Sequence, residues 1–187
     1  EYGYDDSGAR LSPIDPRTGS VRFAMGEGIT RGGSRVERAV SLGDRVVVVE
    51  QRDLDRLSGS TSNRPTRRVF LHSDHQRSVR MVTDREGRVL ERRRYGAFGE
   101  ARVRLDGDGH PIDPSSVRFG YTGHDEDAEA GLLFFGARHY DPSTGSFLSL
   151  DPAMQFASPY AYSGGNPVGG RDPDGRLYEL TAIEIVA

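Results

Sequence analysis

The sequence predicts a mainly β fold built from stacked hairpins, and three observations predict it. Its 24 Gly and 10 Pro interrupt the chain too often for long helices. Eight Tyr and eight Phe supply bulky groups that pack well on a pleated surface. A turn unit also recurs. Asp15-Pro16-Arg17-Thr18-Gly19-Ser20-Val21 is echoed by Asp141-Pro142-Ser143-Thr144-Gly145-Ser146-Phe147. Asp84-Arg85-Glu86-Gly87-Arg88-Val89 is echoed by Asp172-Pro173-Asp174-Gly175-Arg176-Leu177. The leading Asp bonds the backbone ahead of it, Pro in second place presets φ, and the closing Gly tolerates positive φ. A repeated strand-turn-strand unit points to stacked hairpins rather than one closed domain.

The elements follow in order. Residues 46–50 form a short apolar run. Strands are expected at 68–71, 79–83 and 88–95, the last two as a hairpin around 84–87. Further strands are expected at 117–122, 132–140 and 147–150. In the 132–140 strand, Leu132, Phe134, Gly136 and Arg138 share one face, and Leu133, Phe135, Ala137 and His139 the other. Apolar character on both faces predicts burial on both. The one helical candidate is a turn or two at 125–130. Residues 51–66 read as a loop or linker and 105–116 as a long hairpin loop. From Ala157 the Pro-, Tyr-, Gly- and Asn-rich text predicts an irregular, plug-like segment ending at Gly175.

Composition bounds the function. Hydrophobic residues make up 35 %, below the usual globular share, so part of the stabilising surface is expected in a longer parent chain or a partner. There is no Cys, which excludes disulfides, thiolate metal sites and cysteine nucleophiles. No apolar run has the length of a membrane-spanning helix. The opening Glu1-Tyr2-Gly3-Tyr4 is no signal peptide and reads as a position inside a longer sequence. All 25 basic residues are Arg, interleaved with 28 acids for a net charge of −3, so no nucleic-acid partner is expected. The densest cluster, Arg88, Arg92, Arg93 and Arg94, reads as a solvated strand face.

Other chemistry is weaker. His72, Asp74 and His75 have metal-ligand types, but on a strand His75 points away from the other two. Asp106-Gly107-Asp108-Gly109 and Asp113 lack the spacing and terminal Glu of a calcium loop, so an Asx turn is expected. No nucleophile-elbow motif supports Ser-His-Asp catalysis, and His139 reads as packed. No metal and no cofactor are predicted.

Several stretches together resemble the RHS/YD-repeat family, in its C-terminal RHS repeat-associated core. They are Tyr2-Gly3-Tyr4-Asp5-Asp6-Ser7-Gly8, Leu71-His72-Ser73-Asp74-His75-Gln76-Arg77-Ser78, Tyr95-Gly96-Ala97-Phe98-Gly99-Glu100 and Phe119-Gly120-Tyr121-Thr122-Gly123. After them come Gly131-Leu132-Leu133-Phe134-Phe135-Gly136-Ala137-Arg138-His139-Tyr140-Asp141-Pro142, Gly145 to Pro152, Pro159-Tyr160-Ala161-Tyr162, Asn166-Pro167 and Asp172-Pro173-Asp174-Gly175. Their order is specific over residues 70–175 and loose over 1–69.

The resemblance implies a β-sheet ribbon spiralling into a hollow cocoon, with the core curling inward as its end plug. Residues 1–69 would be YD-repeat wall strands and linker, and 70–156 core strands. Residues 157–177 would be the plug, and 178–187 the start of a variable C-terminal segment. It implies a secreted or delivered toxin-type protein. The partners would be the rest of the shell, or a shell-forming chain, and an enclosed C-terminal toxin segment.

It also implies a single-turnover intramolecular aspartyl autoprotease. Two Asp-Pro motifs would supply its carboxylates, Asp151 and Asp172, one ionised and the other protonated. Arg171 would hold a carboxylate or stabilise the oxyanion. The bond expected to be cut is Leu177–Tyr178, with Arg176–Leu177 second. Met154 stands where the family motif has Gly, and the Leu comes one place late, after Arg176. The alternative is a non-catalytic structural or interaction module, in which both Asp-Pro motifs are only turns.

Overall fold

The computed structural model describes residues 3–4, 10–11, 24–25, 28–31, 35–43, 45–53, 66–112, 115–127 and 130–180. The turn at 15–21, most of the repeat at 2–8, the loop at 54–65, Asp113 and residues 181–187 lie outside them. The chain divides into two units, residues 1–71 with 84–86, and residues 72–83 with 87–187.

In the first unit, β1 (Gly3–Tyr4) and β2 (Arg10–Leu11) pair antiparallel. Then β3 (Ala24–Met25), β4 (Gly28–Arg31), β5 (Arg35–Leu42), β6 (Arg45–Asp53) and β7 (Arg67–Ser73) run as an antiparallel meander. Four consecutive Val residues make β6 a strand, since β-branched side chains are stiff and pack well on a pleat. The register sets Val49 opposite both Ala39 and Val69, and Val49 and Val69 are fully buried. Gln51 and Glu37 occupy the same buried face, with the Gln51 amide donating to the Glu37 carboxylate at 2.9 Å. The strands expected at 46–50 and 68–71 are present and longer than expected.

The second unit opens with β8 (Val79–Thr83), β9 (Val89–Tyr95) and β10 (Ala101–Asp106), again antiparallel. The β8–β9 connection uses the expected chemistry: Asp84 Oδ1 accepts the Glu86 N–H at 3.0 Å and Gly87 takes φ +81°. Arg92 and Arg94 are exposed as expected, but Arg93 is buried. Its guanidinium donates to Glu91 at 2.7 Å and to the Phe119 carbonyl at 2.5 Å. It also reaches Ser115 Oγ and, at 3.3 Å, the Val117 carbonyl. The strand's period of two turns that one Arg inward, which corrects the reading of the whole cluster as solvated.

A second sheet holds β11 (Asp125–Asp127), β12 (Leu132–Phe134), β13 (His139–Asp141) and β14 (Ser146–Phe147), in that order. Here three sequence expectations fail. The single strand at 132–140 is a hairpin. Gly136 adopts φ +86°, the Phe135 N–H meets the Arg138 carbonyl at 3.0 Å, and Leu133 pairs with Tyr140. The apolar residues of this stretch do not bury two faces of one strand; the turn folds Phe135 and Tyr140 into one core. Residues 125–127 are a strand, not a helix, since they pair with β12. The strand at 117–122 gives way to a 3-10 turn, Tyr121–Gly123, with Thr122 at φ +48°.

Tyr121, Leu133, Phe135, Tyr140, Phe147 and Tyr162 form the core, with Tyr95 and Phe98 against it. Ring centroids lie 5.0 to 6.1 Å apart, mostly tilted or edge-on, the geometry the ring quadrupole favours. Tyr140 and Tyr121 hydroxyls donate to the Phe98 and Ala97 carbonyls at 2.7 and 2.8 Å. The segment from Ala157 is largely irregular, with a 3-10 turn at Ser163–Gly165 and one short pair, β15 (Gly170–Arg171) with β16 (Glu179–Leu180).

Candidate functional site

Among the described residues of the second unit, each Asp heading a turn unit caps its own turn. Asp141 Oδ1 accepts the Ser143 N–H at 2.8 Å. Asp106 Oδ1 accepts those of Asp108 and His110 at 2.9 and 2.8 Å, so the expected Asx turn closes that loop. His72 contacts Thr83 Oγ1 at 3.0 Å, and Asp74 accepts the Gln76 and Ser78 N–H groups. Asp151 accepts Ala153 N–H on Oδ1 at 2.9 Å and Gln155 N–H on Oδ2 at 3.2 Å. Asp172 Oδ1 accepts the Arg176 N–H at 3.0 Å.

Burial separates two of these aspartates from the others. Asp151 is 4 % exposed and Asp172 3 %. A buried carboxylate is costly unless paired and hydrogen-bonded. The partner is Arg138, itself buried. Its Nη2 lies 2.8 Å from Asp172 Oδ2 and its Nη1 3.8 Å from Asp151 Oδ1. Its Nε donates to the Gly175 carbonyl at 2.5 Å, and its Cζ lies over the Phe147 ring, 3.6 Å from the ring centre. One guanidinium thus joins both Asp-Pro turns.

The turn that presents Arg138 and the turn of Asp172 interlock. The Ala137 N–H donates to the Asp174 carbonyl at 3.0 Å. Gly175 takes φ +75°, and a Cβ there would lie 2.8 Å from the Phe135 carbonyl oxygen and 3.0 Å from Arg138 N. Gly175→Ala is therefore expected to lower stability by about 1–3 kcal/mol, read as a drop in the denaturation midpoint. Met154, in the motif's Gly position, keeps a left-handed φ of +49°. The turn therefore survives the substitution, at a strain of about 1 kcal/mol.

The two carboxylates titrate in opposite directions. Burial works against the charge on Asp151, but the Ala153 and Gln155 N–H groups and Arg138 outweigh it and hold it below the usual range. Burial pushes Asp172 above that range, against the hydrogen bond and charge of Arg138. His124 stacks on Phe135 at 3.7 Å between centroids, and its Nε2 lies 3.0 Å from the Asp172 carbonyl oxygen. Burial pulls its pKa down to about 4. It is therefore neutral near pH 7, with Nε2 donating to that carbonyl.

Arg171, singled out from sequence, is buried on β15 and directs its guanidinium to Glu179 Oε2 at 3.1 Å. The guanidinium at the aspartates is that of Arg138. Leu177 is exposed and Tyr178 half-buried. The Tyr178 ring meets Phe156 edge-on at 5.6 Å and covers Gly170, where a Cβ would clash with it. Gln155 reaches the same segment: its Nε2 donates to the Arg176 carbonyl at 2.5 Å and its Oε1 accepts the Tyr178 N–H at 3.0 Å. Sequence reasoning missed both Arg138 and Gln155. The signal for Arg138 was a charged residue inside an apolar run; Gln155 gave none.

Among known proteins, the family model described as the Teneurin YD-shell matches residues 52–162. Salivary gland surface protein 1 of Aedes aegypti is 37 % identical over 113 residues, 60 % of this chain and 3 % of that protein. The tRNA3(Ser)-specific nuclease WapA of Bacillus spizizenii is 28 % identical over 185 residues, 93 % of this chain and 7 % of that protein. The crystal structure of TcdB2-TccC3 without its hypervariable C-terminal region superposes with a TM-score of 0.62 at 22 % identity. That match covers 89 % of this chain and 7 % of that one. The chain thus spans only a small fraction of the length of these relatives.

Proposed function

The chain belongs to the Teneurin YD-shell family, and on that premise we propose that it is the closing end of a β-sheet shell, a plug that cuts its own chain once after Leu177. Strands β8 to β14 serve as wall, and the segment from Ala157 folds inward. The segment that follows the cut is enclosed. The hypervariable C-terminal region of TcdB2-TccC3 and the nuclease name of the Bacillus relative support that reading for a toxin-type protein. The rest of the shell, in the same chain or a partner, is the main partner, and the protein acts outside the cell that makes it. No helix among the described residues is long and apolar enough to cross a membrane.

The observation that carries the reading is the burial of Asp151 and Asp172 on one guanidinium, with opposite titration. Asp151, held ionised, takes a proton from a water molecule. The hydroxide adds to the Leu177 carbonyl carbon while Asp172, in the protonated form that burial favours, gives its proton to the carbonyl oxygen. Collapse breaks the Leu177–Tyr178 C–N bond, with a proton passing to the Tyr178 nitrogen. The products are a Leu177 carboxylate and a Tyr178 amine. Arg138 keeps Asp151 charged and the two turns in register.

Asp151→Asn and Asp172→Asn are each expected to abolish cutting, read by mass. The rate should follow a bell in pH. Its acid limb falls where Asp151 takes a proton, below the ordinary Asp range of about 3.9. Its alkaline limb falls where Asp172 loses its proton, above that range. An unchanged product pattern in both variants would favour the second reading, a structural module. That reading draws on the turn-capping bonds both carboxylates already make.

A further inference from the structure

We propose that Gln155 is a positioning residue that selects which peptide bond is cut, an inference that rests on the self-cleavage reading above. A primary amide offers a donor and an acceptor in one plane. Here the donor meets the Arg176 carbonyl and the acceptor meets the Tyr178 N–H. One residue of a parallel strand grips its neighbour in the same way, through the carbonyl before and the N–H after a single residue. The residue so bracketed is Leu177. Its backbone is fixed at both flanks without contact to its exposed side chain.

The same residue is tied to the proposed base. The Gln155 N–H donates to Asp151 Oδ2 at 3.2 Å, and its Nε2 lies 3.4 Å from that oxygen. Gln155 thus links Asp151 to the segment to be cut. Phe156, the next residue, holds the Tyr178 ring edge-on. Met154, in its left-handed conformation, turns the chain so that Gln155 returns to Asp151: the Met154 N–H meets the Asp151 carbonyl at 3.2 Å. The bond expected first from sequence and the one expected second are treated differently by this grip. The Arg176–Leu177 peptide has its carbonyl occupied by the Gln155 amide. In the Leu177–Tyr178 peptide it is the N–H that Gln155 holds. A donor on one carbonyl and not on the other changes how each is polarised and held, so the grip makes the two bonds inequivalent.

Gln155→Leu removes both hydrogen bonds at similar size, and Gln155→Glu keeps the acceptor while placing a negative charge beside Asp151. Two measurements on the full 187-residue chain test the role. In an Asp172→Asn background, which keeps the chain whole, adding Gln155→Leu should speed exchange of the Tyr178 amide hydrogen by about tenfold. In the otherwise parental chain, Gln155→Leu should slow cutting and spread it over both bonds by mass. Gln155→Glu should move the acid limb of the pH profile upward, since its charge lies beside Asp151, while the spread over both bonds in Gln155→Leu is the change that a merely structural role would not give. Cutting at the parental rate and bond in Gln155→Leu, or an unchanged Tyr178 amide, would overturn the role while leaving self-cleavage standing. A parental chain that is never cut would instead overturn the self-cleavage reading and this role together.

Discussion

Arg138→Met is expected to lower stability by about 3–5 kcal/mol at pH 7, because removing one partner of a buried ion pair leaves an uncompensated charge. The change strips the guanidinium from Asp172 and Asp151 together, frees the Gly175 carbonyl, and leaves Phe147 without its stacked partner. It should also abolish any cutting, since the two turns lose their common anchor. The pH dependence identifies the cause. Without Arg138 the affected carboxylates titrate higher. As pH falls and they take up protons, the penalty of burying them as anions disappears. The gap between parent and variant, measured by denaturant melts, should therefore narrow as pH falls from neutrality toward the ordinary Asp range of about 3.9. A gap constant over that range would assign the loss to packing rather than charge.

Arg93→Leu is the second large expectation, again a loss of about 3–5 kcal/mol. Arg93 and Glu91 are both buried on β9. Burial works against the Glu91 charge, yet Arg93 and Ser116 hold its carboxyl below the usual range. Removing Arg93 takes from Glu91 its nearest cation, leaving Ser115, Ser116 and, at 3.6 Å, Arg104, and takes donors from the carbonyls of Phe119 and Val117. These lie in a segment that follows the Gly- and Pro-rich loop and pairs through an isolated bridge between Phe119 and Asp125, so the network reinforces thin sheet pairing there. Arg104 extends it, with Nη2 at 2.7 Å from Glu126 Oε2. Replacing both partners, Glu91→Leu with Arg93→Leu, should recover part of the loss, since buried pairs can exchange for well-packed apolar groups. A double-mutant cycle in urea checks both claims. A double variant no more stable than Arg93→Leu alone would mean that the carbonyls dominate.

Much of the fold was legible in local chemistry. The turn at 84–87 and the turns headed by Asp141 and Asp172 were readable because an Asp cap and a positive-φ Gly act within four residues; at Asp151 the positive φ falls on Met154 instead. Strands β6 to β9 were readable from β-branched runs flanking those turns. The failures share one cause. Residues 132–140, read as one strand, turn at Gly136, and acidic residues 125–127 become a strand, because each choice is set by the strand it meets across a hairpin rather than by its own residue types. The candidate site divides the same way. Asp151 and Asp172 stand out as residue types in a recurring motif. Arg138 matters only once two remote turns close on it, whereas Arg171, adjacent to Asp172 in sequence, faces Glu179 instead. Gln155 gains meaning only when the chain returns at Tyr178.

The most direct test of the central claim is the intact mass of the chain under denaturing conditions, followed over time and across pH. The account predicts a species ending at Leu177 that is absent in Asp172→Asn. Full-length mass alone, in the parental chain at every pH, would contradict it and leave a structural shell end whose buried aspartates only hold two turns together.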